Sequence, residues 1–244
     1  MGDSPGGSVV PSGVDNVCIS CVEGIDRSPM SQTQLVDGTP LPVIAHVSRV
    51  VTRVVDRLTG GRVDYPLLVA MACVEALKGF GIQSQVMYGQ AAWLEVLENH
   101  SVIWAGCWGE HFSFWVATVS GEVVDLNVSV ACQKRAHADP SITSIHSPPM
   151  LWSREVPAFY RYQPEGVAEL DLTDAQDQKK YELVLKEVRE KCVPSQLASQ
   201  IDDSLEFPNE PIICPGRRIL DDSRNSFRLF ERTLAVRGIP SAPF

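Results

Sequence analysis

His111 opens the run His-Phe-Ser-Phe-Trp-Val-Ala-Thr, and Asp125 closes the run Glu-Val-Val-Asp that follows Ser120-Gly121. An imidazole serves as a general base only when a third group fixes its tautomer, and an acid on the neighbouring strand supplies such a group. Register decides whether the acid arrives. A two-residue turn on Ser120 and Gly121 sets Asp125 opposite Val116, on the other face from His111. A loop that also takes in Val119 brings Asp125 to the His111 face beside Trp115, and Asn127 then falls opposite Ser113, closer still to His111. Asp125 and Asn127 are both candidate orienters. A plain hairpin with a surface histidine at its start and an acid at its exit would give the same pattern.

The nucleophile of such a site would be a cysteine. Cys73 lies inside Pro-Leu-Leu-Val-Ala-Met-Ala-Cys-Val-Glu-Ala-Leu-Lys, residues 66–78, which reads as a helix with proline in its first turn. Only Glu75 and Lys78 are polar there, so the helix is expected to be central and buried. A thiol two turns into such a helix lacks the unpaired N–H groups that favour a thiolate at a helix start, and a buried cysteine packs as a small hydrophobe. Cys107 precedes His111 by four residues, on the order of 13 Å in an extended chain, too far for proton transfer. Cys18 and Cys21 form a lone Cys-Ile-Ser-Cys. Zinc there would need a second ligand pair, with Cys107 and His111 the conceivable complement. Cys132, Cys192 and Cys214 have no local partner pattern. No cofactor is expected: Gly79-Phe80-Gly81 lacks the continuation of a dinucleotide-binding loop.

Those groups need elements to position them. Val43, Ile44, Val47, Val50, Val51, Val54, Val55 and Leu58 recur at helical spacing and end at Thr59-Gly60-Gly61, giving a first amphipathic helix. The buried helix follows, then Gly81-Ile82, an extended run through Gly89, a strand over Ser101 to Trp108, the histidine strand, a turn and the acid strand. Over about residues 60–130 this order resembles the transglutaminase-like, or papain-like, cysteine hydrolase superfamily. The resemblance implies an α+β fold in which a central helix packs on an antiparallel sheet. It also implies a cysteine hydrolase or acyltransferase acting on an amide or peptide bond, with His111 as base, Asp125 or Asn127 as orienter and Cys73 as the nucleophile that the helix offers. The family places its nucleophile at the helix start, about fifteen residues before the Gly-Ile pair. In this chain that window holds Val63, Asp64, Tyr65 and Pro66, with no cysteine. The same resemblance therefore admits a catalytically silent member that binds a protein partner or serves as a subunit of a larger assembly.

Composition restricts the class further. The 244 residues carry a net charge of −9, which argues against a nucleic-acid surface, since phosphate neutralisation needs clustered Lys and Arg. No apolar run reaches the length of a membrane span. Seven cysteines, an odd count, together with an N-terminal stretch unlike a signal peptide, suggest a reducing cytoplasm. Residues 1–40, rich in Gly, Ser, Pro and Asp, read as a flexible or wrapping arm, and 41–170 as the α+β core. Within the core, the prolines and aromatic rings of 127–166 read as a long loop. Residues 171–244 read as a C-terminal helical extension, with a capping box at Thr173, a linker over 195–216 and a last helix from about Arg224. Arms of this kind make an oligomer or complex reasonable.

Overall fold

The computed structural model describes residues 38–131, 144–169, 175–201, 210–220 and 224–244. The expected N-terminal arm lies outside the described residues up to position 37, as does the capping box at Thr173.

The first helix, α1 (Leu41–Thr59), is buried around most of its circumference. Its apolar residues join one core cluster with the other helices and one face of the sheet, and its buried hydroxyls satisfy themselves locally: Ser48 Oγ donates to Ile44 O at 2.6 Å and Thr52 Oγ1 to Ser48 O at 2.8 Å. Such bonds let polar residues sit inside without an orphaned donor. After one 3-10 turn over Arg62–Asp64, α2 (Pro66–Gly79) begins with proline in its first turn. As its composition requires, α2 is central: Leu67, Leu68, Ala72, Cys73, Ala76 and Leu77 are all at most 4% exposed. Each leucine buried there contributes roughly 1.5–3 kcal/mol.

Among the described residues nine strands form one sheet: β1 (Ser84–Leu97), β2 (Val102–Cys107), β3 (Ser113–Thr118), β4 (Val123–Asp125), β5 (Ser144–His146), β6 (Met150–Ser153), β7 (Tyr160–Val167), β8 (Ile212–Cys214) and β9 (Arg218–Leu220). Pairing is antiparallel except between β6 and β8, which run parallel, so the sheet is mixed and not purely antiparallel as expected. The 14-residue β1 is its hub. One edge of β1 pairs with β7 over Met87–Trp93, while the other pairs with β3 over Ser84–Gly89 and with β2 over Ala91–Val96. β2 and β3 thus follow one another along the same edge, and residues 108–112 leave the sheet between Cys107, opposite Ala91, and Ser113, opposite Gly89.

Alternation divides the core between the two faces. Val86, Phe114, Val116, Val124, Met150 and Trp152 pack against α1, α2 and α3 (Ala175–Lys191), whose Tyr181, Val184 and Val188 are buried. Trp93, Trp115, Leu151 and Ile213 face the other way, against Phe227, Phe230 and Leu234 of the last helix, α5 (Arg224–Arg237). The architecture is α+β with helices on both faces. Within 171–244, α3 completes the helical layer and β8 extends the sheet, so these two elements belong to the core. The segment expected as a linker holds α4 (Pro194–Ile201) and β8, and the expected aromatic loop holds β5, β6 and β7. Short strands interrupted by prolines carry too few residues to show a period of two, although Trp152 and Tyr160 are completely buried.

Arg62 ties these layers together. Its side chain is buried; Nη1 meets Asp56 Oδ2 at 2.5 Å, Nη2 meets Glu210 Oε2 at 2.5 Å and Ser129 Oγ at 3.2 Å, and Nε donates to Leu126 O at 3.1 Å. Removing one partner of a buried ion pair typically costs about 3–5 kcal/mol. Arg62→Ala should lower stability to chemical denaturation by about that much, and Arg62→Lys should recover only part, because an ammonium lacks the guanidinium fork. A second expectation concerns Gly79, where an added Cβ would stand 2.0 Å from Cys192 O. Gly→Ala in a helix ordinarily gains about 1 kcal/mol; at Gly79 a thermal melt should show a loss.

Candidate functional site

The hairpin loop settles the register. Val116 pairs with Val124, Thr118 N–H donates to Glu122 O at 3.0 Å, and Gly121 N–H donates to Thr118 O at 2.9 Å. The loop is therefore Val119-Ser120-Gly121, with Gly121 at φ 80° supplying the left-handed residue such loops need. Of the two registers open to the sequence this is the three-residue one, and it turns Asp125 to the face of Trp115. A buried carboxylate holds the loop: Glu122 accepts from Thr118 Oγ1 at 3.0 Å, Ser120 Oγ at 2.8 Å, Thr39 N at 2.8 Å and Thr39 Oγ1 at 2.6 Å. These bonds also fasten the chain just before α1.

Asp125 is 4% exposed. Its Oδ1 accepts from the N–H groups of Asn127 at 2.9 Å and Val128 at 3.1 Å, starting the helical residues 128–131, and its Oδ2 accepts from Tyr162 Oη at 2.9 Å. Burial pushes its pKa up, against the opposing pull of those three hydrogen bonds and the positive charge of Arg62. Both tyrosines on its face are likewise held well above the usual phenol range, chiefly by burial. Tyr160 Oη donates to Pro149 O at 2.6 Å, and the Tyr162 ring packs 5.1 Å from Trp115. These contacts occupy both oxygens of Asp125 with the hairpin exit and with β7.

Between the first turns of α2 and strands β3 and β4 lies a narrow cavity. Pro66, Val69 and Cys73 line it from the helix, and Phe114, Asp125 and Asn127 from the sheet side. About 10 Å³ of it is open to the centre of a water molecule, room for roughly one water. Asn127 is 9% exposed, and its Oδ1 has no hydrogen-bond partner among the described residues. The Cys73 thiol is 1% exposed, and burial, with the neighbouring Cys192, pushes its pKa far up. Cys192 itself is pushed up to about 12, again by burial.

The structure thus brings Cys73, Asp125 and Asn127 to one cavity and places His111 elsewhere. His111 is exposed in the excursion 108–112, before β3 begins, and is not among the residues that line the cavity. Cys18 and Cys21 lie outside the described residues; among those described, no three His, Cys, Asp or Glu side chains cluster as a metal site would require. Pattern reasoning did not find Arg62, Glu122 or Tyr162. Thr118 and Ser120 beside Glu122 were a local signal for the loop anchor. Arg62 and Tyr162 carried none, because their partners lie far away in sequence.

The fold and site define an α+β protein with a mixed, curled sheet. No family model and no curated protein matches the chain. A crystal structure of a genomics target is similar with a TM-score of 0.39 and 12% identity, over 66% of this chain and 81% of that one. No helix among the described residues is long and apolar enough to cross a membrane.

A prediction follows from Asp125. Because its folded pKa is raised, the native state retains a proton above about pH 3.9, where an unfolded aspartate loses it. Native stability therefore falls as pH rises from that point through the raised pKa. Asp125→Asn removes this term, so its stability relative to wild type should improve as pH rises from 4 to 7 in parallel denaturant melts. Asp125→Ala should instead lose about 1–3 kcal/mol by leaving Tyr162 Oη and two N–H groups unpaired.

Proposed function

We propose that this chain is a catalytically silent protein with a transglutaminase-like core, acting as a protein-binding or structural subunit. One observation carries the reading: no imidazole lines the cavity between the central helix and the hairpin, and the thiol that does is buried, which pushes its pKa far up. Covalent acyl transfer needs a thiolate within hydrogen-bond reach of an imidazole. Here Pro66 occupies the helix start, Cys73 is buried with its pKa raised, and His111 is exposed on the excursion. Asp125 spends its oxygens on Tyr162 and the backbone of the hairpin exit, which supports a structural role for it.

A second reading keeps the chemistry. Cys73, Asp125 and Asn127 do share one cavity, and Asn127 Oδ1 presents an unused acceptor there. In that reading the excursion carrying His111 closes over the cavity when an amide substrate binds, and the thiol ionises in contact with the imidazole.

The two readings separate in a labelling experiment. On the first, a cysteine-directed acyl or chloroacetamide probe at pH 7.4 leaves Cys73 unmodified by peptide mass spectrometry while the protein stays folded. An amidase screen of the wild-type chain then gives no turnover. A stoichiometric adduct at Cys73 that disappears in His111→Ala would overturn this proposal in favour of the hydrolase.

A further inference from the structure

The C-terminal segment makes a contact that neither reading uses. α5 ends at Arg237 and is followed by Gly238, whose N–H closes on Leu234 O at 2.8 Å and whose φ of 78° turns the chain. The residues after it, Ile-Pro-Ser-Ala-Pro-Phe, reach β2, where Trp104 Nε1 donates to Pro240 O at 2.9 Å. The Trp104 ring lies under the Arg161 guanidinium at 5.5 Å, and Arg161 Nη1 is pinned by Ala158 O at 3.0 Å and Tyr160 O at 2.8 Å. An indole and a cation anchored on the two strands that flank β1 make a prearranged platform.

The ligand on that platform has a distinctive chemistry. Pro240 and Pro243 are three residues apart, the repeat of a polyproline II helix, which puts both rings on one face. Extended proline segments cost little entropy to dock, and aromatic-lined surfaces recognise them. We propose that Trp104 and Arg161 form a recognition site for an extended P-x-x-P segment, held in this chain by its own residues 239–244 and open to a segment of the same kind from a protein partner. The resident tail is weakly held. Its bond to Trp104 is exposed and joins two neutral groups, a class of hydrogen bond with a small net contribution, and Ile239 remains 46% exposed. Its occupancy therefore rests on tethering, which gives a short flexible linker an effective concentration of about a millimolar and leaves room for competition. This site lies on β2 and β7 and does not depend on whether the cavity at Cys73 turns over a substrate.

The test uses the full chain with Pro240→Gly and Pro243→Gly, which removes the extended preference of the resident tail. The probe is the acetylated, amidated peptide Gly-Ile-Pro-Ser-Ala-Pro-Phe, and the readout is the Trp104 indole N–H resonance. A saturable shift is expected in the substituted chain, with affinity at least about fivefold weaker in wild type, where the tethered tail competes. Arg161→Met, added to the substituted chain, should weaken binding while the rest of the spectrum stays in place. The proposal is overturned if the Trp104 signal does not move, if a peptide with glycine at both proline positions binds equally well, if wild type and the substituted chain bind alike, or if Arg161→Met changes nothing. Any of these results would leave the tail as a structural latch only.

Discussion

One buried cation organises this molecule. Arg62 sits where α1 has stopped and α2 has not yet begun, and four hydrogen bonds from its side chain reach a helix end, a backbone carbonyl at the hairpin exit, a serine in residues 128–131 and the glutamate that precedes β8. A guanidinium removed from water must recover its hydration in hydrogen bonds and opposite charge. That demand makes the four segments mutually dependent: none can shift without leaving part of the fork unpaired. Arg62 also accounts for the placement of Asp125 and Asn127. It grips the carbonyl of Leu126 directly between them, and its charge acts on the Asp125 carboxyl.

The two acids of the hairpin show how environment divides like residues. Glu122 and Asp125 are three positions apart and both buried. Glu122 receives three hydroxyls and a backbone N–H, and it closes the loop and fastens Thr39. Asp125 receives two backbone N–H groups and one phenol, and burial dominates its proton affinity. Glu122 serves the hydroxyls of the loop and the chain before α1, and Asp125 serves the backbone at the hairpin exit. An acid committed in this way is held by the hairpin exit and by β7, which is the physical basis for reading the hairpin as architecture.

The proposed silent core and the proposed proline site lie apart, the first beside α2, β3 and β4 and the second on β2 and β7. A narrow cavity with room for about one water does not accommodate a peptide, whereas a half-buried indole next to a pinned guanidinium does not need a pocket. Binding on such a platform draws on hydrogen bonding and ring contact at the sheet edge. It leaves the α2 core undisturbed.

Much of the fold was legible in the residues themselves. The nearly all-round apolar pattern of 66–78 dictated a central helix, the Gly60-Gly61 stop ended α1, and Ser120-Gly121 marked the hairpin, because helix burial, capping and turn geometry depend on neighbours within a few positions. Even the hairpin register was narrowed to two choices. What only the tertiary structure decided involves pairs distant along the chain. The sheet recruits β6, β7 and β8 from stretches that look like loop and linker, Arg62 meets Glu210, and Asp125 meets Tyr162. The location of His111 is of the same kind. Its strand-like sequence begins at Phe112, but pairing of β2 and β3 along one edge of β1 pushes residues 108–112 out of the sheet. Local sequence sets the propensity of each segment, while the competition for the two edges of β1 settles where each side chain ends up.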